Sequence, residues 1–170
     1  MTDPRYPIGK FSYAGTLTVA AREACIGDIA GLPAQLRSAT GNLSDAALDT
    51  PYRAGGWSVR QVVHHLADSH MHAYARCKFG LTESNPAILA YDEATWAGLA
   101  DARTLPVGAS LSLLDGLHAR WSTLLRSLDN ADWQRTYVHP EKGSVTLDRT
   151  LALYAWHGRH HLAHIQNAPL

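Results

Sequence analysis

Apolar residues recur at three- and four-residue steps in four separate stretches of this sequence, the spacing of helices that bury one face. The strongest case is Leu111, Leu114, Leu117, Trp121, Leu124, Leu125 and Leu128. A second stretch, from about Thr18 to Thr40, sets Cys25, Ile29, Leu32 and Leu36 on one face. Gly27, Gly31 and Pro33 predict a kink in it, and Gly41-Asn42 an end. A third helix opens at Ser58, where Ser58 and Gln61 form the reciprocal pair of a capping box and Trp57 and Val62 stand at hydrophobic-staple positions. It carries Val59, Val62, Val63, Leu66, Ala73 and Cys77 and fades near Thr82. The fourth starts near Thr146 and runs through Leu147, Leu151, Tyr154, Gly158, Leu162 and Ile165. A short helix is expected near Asp92–Ala100. The segment Thr136–Val145, with Pro140 and Gly143, reads as a loop or short hairpin and is the one candidate for strand. Four long amphipathic helices with little strand signal predict an all-α fold, a four-helix bundle forming one domain over residues 1–170. No internal repeat or second domain is visible.

A chain of 170 residues buries about two-thirds of its unfolded surface on folding and needs no disulfide or metal merely to fold. Fifteen basic residues balance fifteen acidic ones without a Lys/Arg run, which argues against nucleic acid and anionic membrane surfaces as partners. Nowhere do eighteen apolar residues run together, so no membrane-spanning helix is expected. The start, Met1-Thr2-Asp3-Pro4-Arg5-Tyr6-Pro7, has no signal-peptide apolar core. Cys25 and Cys77 cannot make a disulfide framework, and a reducing, cytoplasmic location is the expectation. Both cysteines continue apolar stripes and read as small hydrophobes.

Ten histidines against two phenylalanines is the odd entry in the composition. His157 and His161 are four apart on the last helix, as are His160 and His164. Residues so spaced share a helix face, and two imidazoles can then converge on one ion. On a helical wheel His161 lies nearest the stripe of Leu147, Leu151, Gly158, Leu162 and Ile165, whereas His160 points away, so His157/His161 is the favoured pair. Open catalytic sites usually take three protein ligands. The capped helix offers His70 within its apolar stripe and His65 at the margin, with His64 facing away; angles alone leave His70 first and His65 second. His72, His118 and His139 read as structural or surface residues.

The string Gly56-Trp57-Ser58-Val59-Arg60-Gln61-Val62-Val63-His64-His65-Leu66-Ala67-Asp68-Ser69-His70 resembles the first motif of the DinB-like superfamily, and more narrowly of its YfiT branch. Arg5-Tyr6-Pro7-Ile8-Gly9-Lys10-Phe11, Tyr91-Asp92-Glu93-Ala94 and Tyr154-Ala155-Trp156-His157-Gly158-Arg159-His160-His161-Leu162-Ala163-His164-Ile165 are similar to the same branch. That branch is described as metal-dependent hydrolases and includes bacillithiol transferases. The resemblance implies an up-down-down-up four-helix bundle and one divalent ion, zinc or nickel, per subunit. Its ligands would be His65, the histidine before a leucine, with His157 and His161. A homodimer is implied as well. Where broader DinB-like proteins continue with Arg-Gly-Gln, this chain has Leu162-Ala163-His164, which leaves His164 beside the ligand set or on the substrate side.

Three neutral imidazoles leave an ion its full charge and an open position, suited to activating water or a thiol. His157 is followed by Gly158, not by the glutamate of zinc proteases, so a base or orienting carboxylate must come from elsewhere. Asp68 is the candidate to orient an imidazole, with Asp92 and Glu93 behind it, and Tyr154 could donate a proton. The expectation is therefore a metal-dependent enzyme acting on a small-molecule substrate. It is either a hydrolase or a thiol S-transferase using a low-molecular-weight thiol. A non-catalytic, metal-stiffened dimeric binding or stress-response module is the alternative of another class.

Overall fold

Hydroxyl side chains start three of the four long helices in the computed structural model, which describes residues 3–170. Met1 and Thr2, the first residues of the start examined for a signal peptide, lie outside them. Helix α1 spans Val19–Thr40, and the Thr18 hydroxyl accepts from the Ala21 amide. A short α2, Asp45–Leu48, leads to α3, Val59–Thr82, where Ser58 and Gln61 complete the capping box. The short helices α4, Glu93–Ala97, and α5, Ala100–Thr104, follow. The single short helix expected near residues 92–100 is thus two, broken at Gly98-Leu99. Helix α6 covers Gly108–Arg126. After a 3-10 turn at Asp132–Gln134, strands β1, Thr136–His139, and β2, Gly143–Thr146, form an antiparallel hairpin. Helix α7, Leu147–Gln166, is capped by the Thr146 hydroxyl.

Helix directions follow from which residues meet. Along α1 and α7, Arg22 meets Asp148 and Asp28 meets Arg159, so these helices run parallel. Along α1 and α6, Glu23 meets Arg126 and Arg37 meets Asp115, so these are antiparallel. His64 meets Ser110 and His70 meets His118, which makes α3 and α6 parallel. His70 meets His157 and Arg76 meets Tyr154, which makes α3 and α7 antiparallel. The chain is an up-down-down-up bundle. Parallel α3 and α6 oblige the intervening segment 83–107 to travel back along the bundle. It is pinned where Pro86 and Ile88 exchange backbone hydrogen bonds with Val138 of β1.

One apolar cluster, around Trp121, Leu125, Leu147 and Leu151, fills the hairpin end. Another, around Leu36, Leu66, Leu114 and Leu162, fills the opposite end. His70, His118 and His157 meet between α3, α6 and α7. Near the start of α7 the buried Asp148 carboxylate accepts from Arg22 Nε at 2.6 Å, Tyr13 Oη at 2.7 Å and the Leu17 amide at 2.8 Å, tying the N-terminal segment to the bundle. Its place in the first turn also complements the helix dipole.

Helix α1 passes through Pro33 without ending. The proline has no N–H for the carbonyl four residues back, that of Ile29. His118 fills the gap, its Nδ1 donating to Ile29 O at 2.6 Å. Gly41 closes α1 with a right-handed φ of −62° and not with a left-handed cap. Gly158 lets α7 approach α1 closely, since a Cβ there would stand 2.8 Å from Leu32 Cδ2. Among the described residues no helix is long and apolar enough to cross a membrane.

Candidate metal centre

Helix α3 supplies His65, and α7 supplies His157 and His161 one turn apart. Their ligand nitrogens all lie within 4.8 Å of one another. His65 Nε2 and His157 Nε2 face each other at 3.2 Å. Ligand nitrogens held tetrahedrally at about 2.0–2.1 Å from an ion are about 3.3 Å apart, so the His65–His157 spacing fits. The far side of the His157 ring is occupied, Nδ1 lying 3.2 Å from His70 Nε2. That contact leaves Nε2 as the His157 nitrogen that faces His65.

Burial holds all three imidazoles in the neutral, ligating form. It pushes the His65 pKa down to about 4 and those of His157 and His161 well below the ordinary value, with the neighbouring histidines adding to the effect. The trio opens onto a cavity of ≈ 1070 Å³ lined by α3, α7, the hairpin and residues Ala90–Ala94 of the crossing segment. Trp57 covers one wall, its ring 4.8 Å from that of His65.

The other histidines divide by partner. His64, expected to face away, is buried against Ser110 Oγ at 2.7 Å and the Leu105 carbonyl at 2.9 Å. His160, expected to point outward, is buried under Trp156, the two rings stacked at 4.5 Å. His164 stacks on Tyr52 at 4.0 Å and shares an Nδ1–Nδ1 contact of 3.3 Å with His161. His160, His161 and His164 also bring their nitrogens within 4.8 Å, but from one helix and sharing His161 with the first group. His72 stacks on Tyr91 at 4.4 Å, and His139 Nδ1 accepts from the Glu141 amide at 3.2 Å.

Asp68 does not orient a ligand. It hydrogen-bonds to no histidine among the described residues and is absent from the cavity wall. Burial and nearby Asp101 push its pKa up to about 6. The ring that orients His157 is His70, an imidazole where a carboxylate was expected. Tyr154 lines the cavity, but its hydroxyl lies 3.5 Å from Arg76 Nη1. Asp92 and Glu93 both line the cavity; Asp92 caps α4 through Thr95, which lowers its pKa, whereas burial raises that of Glu93. Cys77 is sealed in the core, its thiol pushed up to about 12, and is no nucleophile. Arg76, which the sequence did not single out, is buried at the cavity with one bond to the Leu89 carbonyl, an unpartnered Nε and no carboxylate partner among the described residues.

The sequence profile of the DinB superfamily matches residues 29–165. The chain belongs to the DinB superfamily. Within that superfamily it is 53% identical over 165 residues to a candidate metal-dependent hydrolase of Bacillus mycoides (strain KBAB4), covering 97% of this chain and 95% of the relative. A second protein of the same description, from Oceanobacillus iheyensis, is 51% identical over 161 residues, covering 95% and 93%. The solved structure of YfiT from Bacillus subtilis, described as a probable metal-dependent hydrolase with an unusual four-helix bundle topology, superposes with a TM-score of 0.93. It is 46% identical and covers 96% of this chain and 94% of that one. TT2238, a four-helix bundle protein, shares the fold alone, with a TM-score of 0.59 at 20% identity.

Proposed function

We propose that this DinB-superfamily chain is a metal-dependent hydrolase whose His65, His157 and His161 hold one divalent ion, zinc or nickel. The observation that carries the reading is the pair of Nε2 atoms facing at 3.2 Å from two helices, with the other ring nitrogen of His157 engaged by His70. The names of the relatives support the hydrolase class. An ion held by three neutral imidazoles supplies Lewis acidity, polarising a carbonyl or lowering the pKa of a water or thiol.

The chain's own residues do the rest. Trp57 shields His65 from bulk solvent, which keeps the ligand set neutral. Arg76 presents a cation without a carboxylate partner at the cavity wall, which favours a small-molecule substrate bearing an anionic group. Tyr154, held beside Arg76, can direct its hydroxyl to the same group. Among the described residues no carboxylate is bonded to the trio, so the hydrolase class rests on the relatives' names.

The test is elemental analysis of tag-free protein followed by ester, amide and thiol-plus-electrophile screens. One divalent ion per chain, lost in His161→Ala, with ester or amide turnover supports the hydrolase. Turnover only with a thiol makes the chain an S-transferase. A bound ion with no turnover in any screen makes it a binding module, and absence of ion removes the proposal.

A further inference from the structure

Four groups are joined end to end through the centre of the bundle. His118 Nδ1 lies 2.6 Å from the Ile29 carbonyl, His118 Nε2 lies 3.0 Å from His70 Nδ1, and His70 Nε2 lies 3.2 Å from His157 Nδ1. The rings of His70 and His118 stack at 4.9 Å, and both residues are fully buried. Only one end of this row is chemically fixed. A carbonyl oxygen accepts and never donates, and the Ile29 oxygen is free because Pro33 has no amide hydrogen to offer it.

The hydrogen positions follow from that end. His118 must carry its hydrogen on Nδ1 to reach Ile29. A neutral ring has one N–H, so His118 Nε2 is an acceptor and His70 Nδ1 donates to it. His70 Nε2 is then an acceptor in turn, and His157 Nδ1 donates to that. His157 is left with a bare lone pair on Nε2, aimed at His65. Burial away from water keeps each ring neutral, with a single N–H apiece.

We infer that His118 and His70 are positioning residues that transmit the acceptor character of the Ile29 carbonyl to His157 and fix it as the Nδ1–H tautomer, with Nε2 free to ligate. The inference rests on the reading of His157 as a ligand for its purpose, but the tautomer itself is a property of the metal-free chain. Metal-binding histidines commonly have the second nitrogen held by a carboxylate or carbonyl; here a carbonyl acts at a distance, through two intervening rings. The row ends on a carbonyl that cannot take up a proton, so it locks hydrogens in place and carries none away from the site.

Long-range proton–nitrogen NMR on uniformly 15N-labelled, metal-free protein at neutral pH reads each ring directly. The expected result is Nδ1–H at His157, His70 and His118, opposite to the Nε2–H form that free histidine prefers. An Nε2–H form at His157 overturns the inference. In H70L the His157 tautomer should mix or invert, and zinc affinity, read by chelator competition, should fall by about 10–100-fold. H70Q should restore both, because its amide oxygen can accept from His157 while its nitrogen donates to His118. Should H70L fail to fold, H118L tests the same row from its far end. A truncation in the apolar core, L125A, should lower stability and leave the His157 signals where they were. An unchanged tautomer and affinity in H70L and H118L refutes the positioning role, even if the wild type binds zinc. No zinc binding by a wild type that shows the expected tautomers would defeat the proposed function and not the row.

Discussion

His65 and His157 turn their Nε2 atoms toward each other across 3.2 Å in the interior of the bundle. With the His157 hydrogen spent on His70, the gap has room for the single Nε2 hydrogen of His65 or for a cation, and a cation makes better use of both lone pairs. Ion binding should therefore stabilise the fold by about 4 kcal/mol at a free concentration a thousand times Kd. Thermal unfolding before and after chelation measures it. An unchanged Tm would contradict the site.

Affinity for the ion should resist acid. Neutral imidazole is the ligand, and burial holds His65 neutral down to about pH 4, with His157 and His161 depressed as well. The folded pKa lies below the ordinary value, so protons begin to compete only well under pH 6.5. Zinc Kd should stay nearly flat between about pH 7.5 and 5.5, whereas three exposed histidines would lose up to about a thousandfold per pH unit below 6.5. Chelator competition across this range decides.

Asp68 is a cost at neutral pH. Its folded pKa of about 6 lies above the unfolded 3.8, so the stability it contributes is present below pH 3.8 and lost as pH rises through 6. Asp68→Asn should add about 1–2 kcal/mol at pH 7.5, with the gain vanishing near pH 4. Denaturant melts at the two pH values test the sign.

Gly158→Ala would press a methyl to 2.8 Å from Leu32 Cδ2, beside the candidate ligand His157. Overpacking of this kind should cost about 1–3 kcal/mol. The displaced turn of α7 should also weaken zinc binding. Calorimetry and competition on one sample read both, and normal affinity at reduced stability would separate packing from ligation.

Removing the buried cation of Arg76 should fall on substrate binding. In Arg76→Met, KM for an anionic substrate should rise about tenfold or more, as for loss of a charge-assisted bond worth about 1.5–3 kcal/mol, with zinc content unchanged. An equal KM for anionic and neutral substrates in the wild type would refute the assigned role.

The helices and their caps were legible because periodicity and capping chemistry are local: Ser58 with Gln61, Thr18 and Thr146 mark three starts within a residue. His157 and His161 were legible for the same reason, being one turn apart. His65 over His70 is not legible from the wheel, which separates the two by roughly 140° and reports only that His70 lies deeper in the apolar stripe, not which ring faces α7 with a free nitrogen; the family resemblance chooses His65. His64 and His160 were misplaced on the wheel because partners distant in sequence, or a neighbouring tryptophan, cover what a lone helix would expose. Asp68 is a candidate on sequence proximity, being three residues on from His65, yet its side chain lies near Asp101 of α5 and bonds to no histidine among the described residues. The roles of His70 and His118 depend on Pro33, a residue that sequence reading treated only as a source of a kink.

The crossing segment 83–107 contributes none of the three candidate ligands, yet its residues Ala90–Ala94 wall the cavity above them. Part of the cavity's shape is thus encoded away from the candidate ligands, although Arg76 and Tyr154 share their helices. A chimaera that takes this strap from a relative should change which molecules are accepted while leaving the inorganic centre as it was.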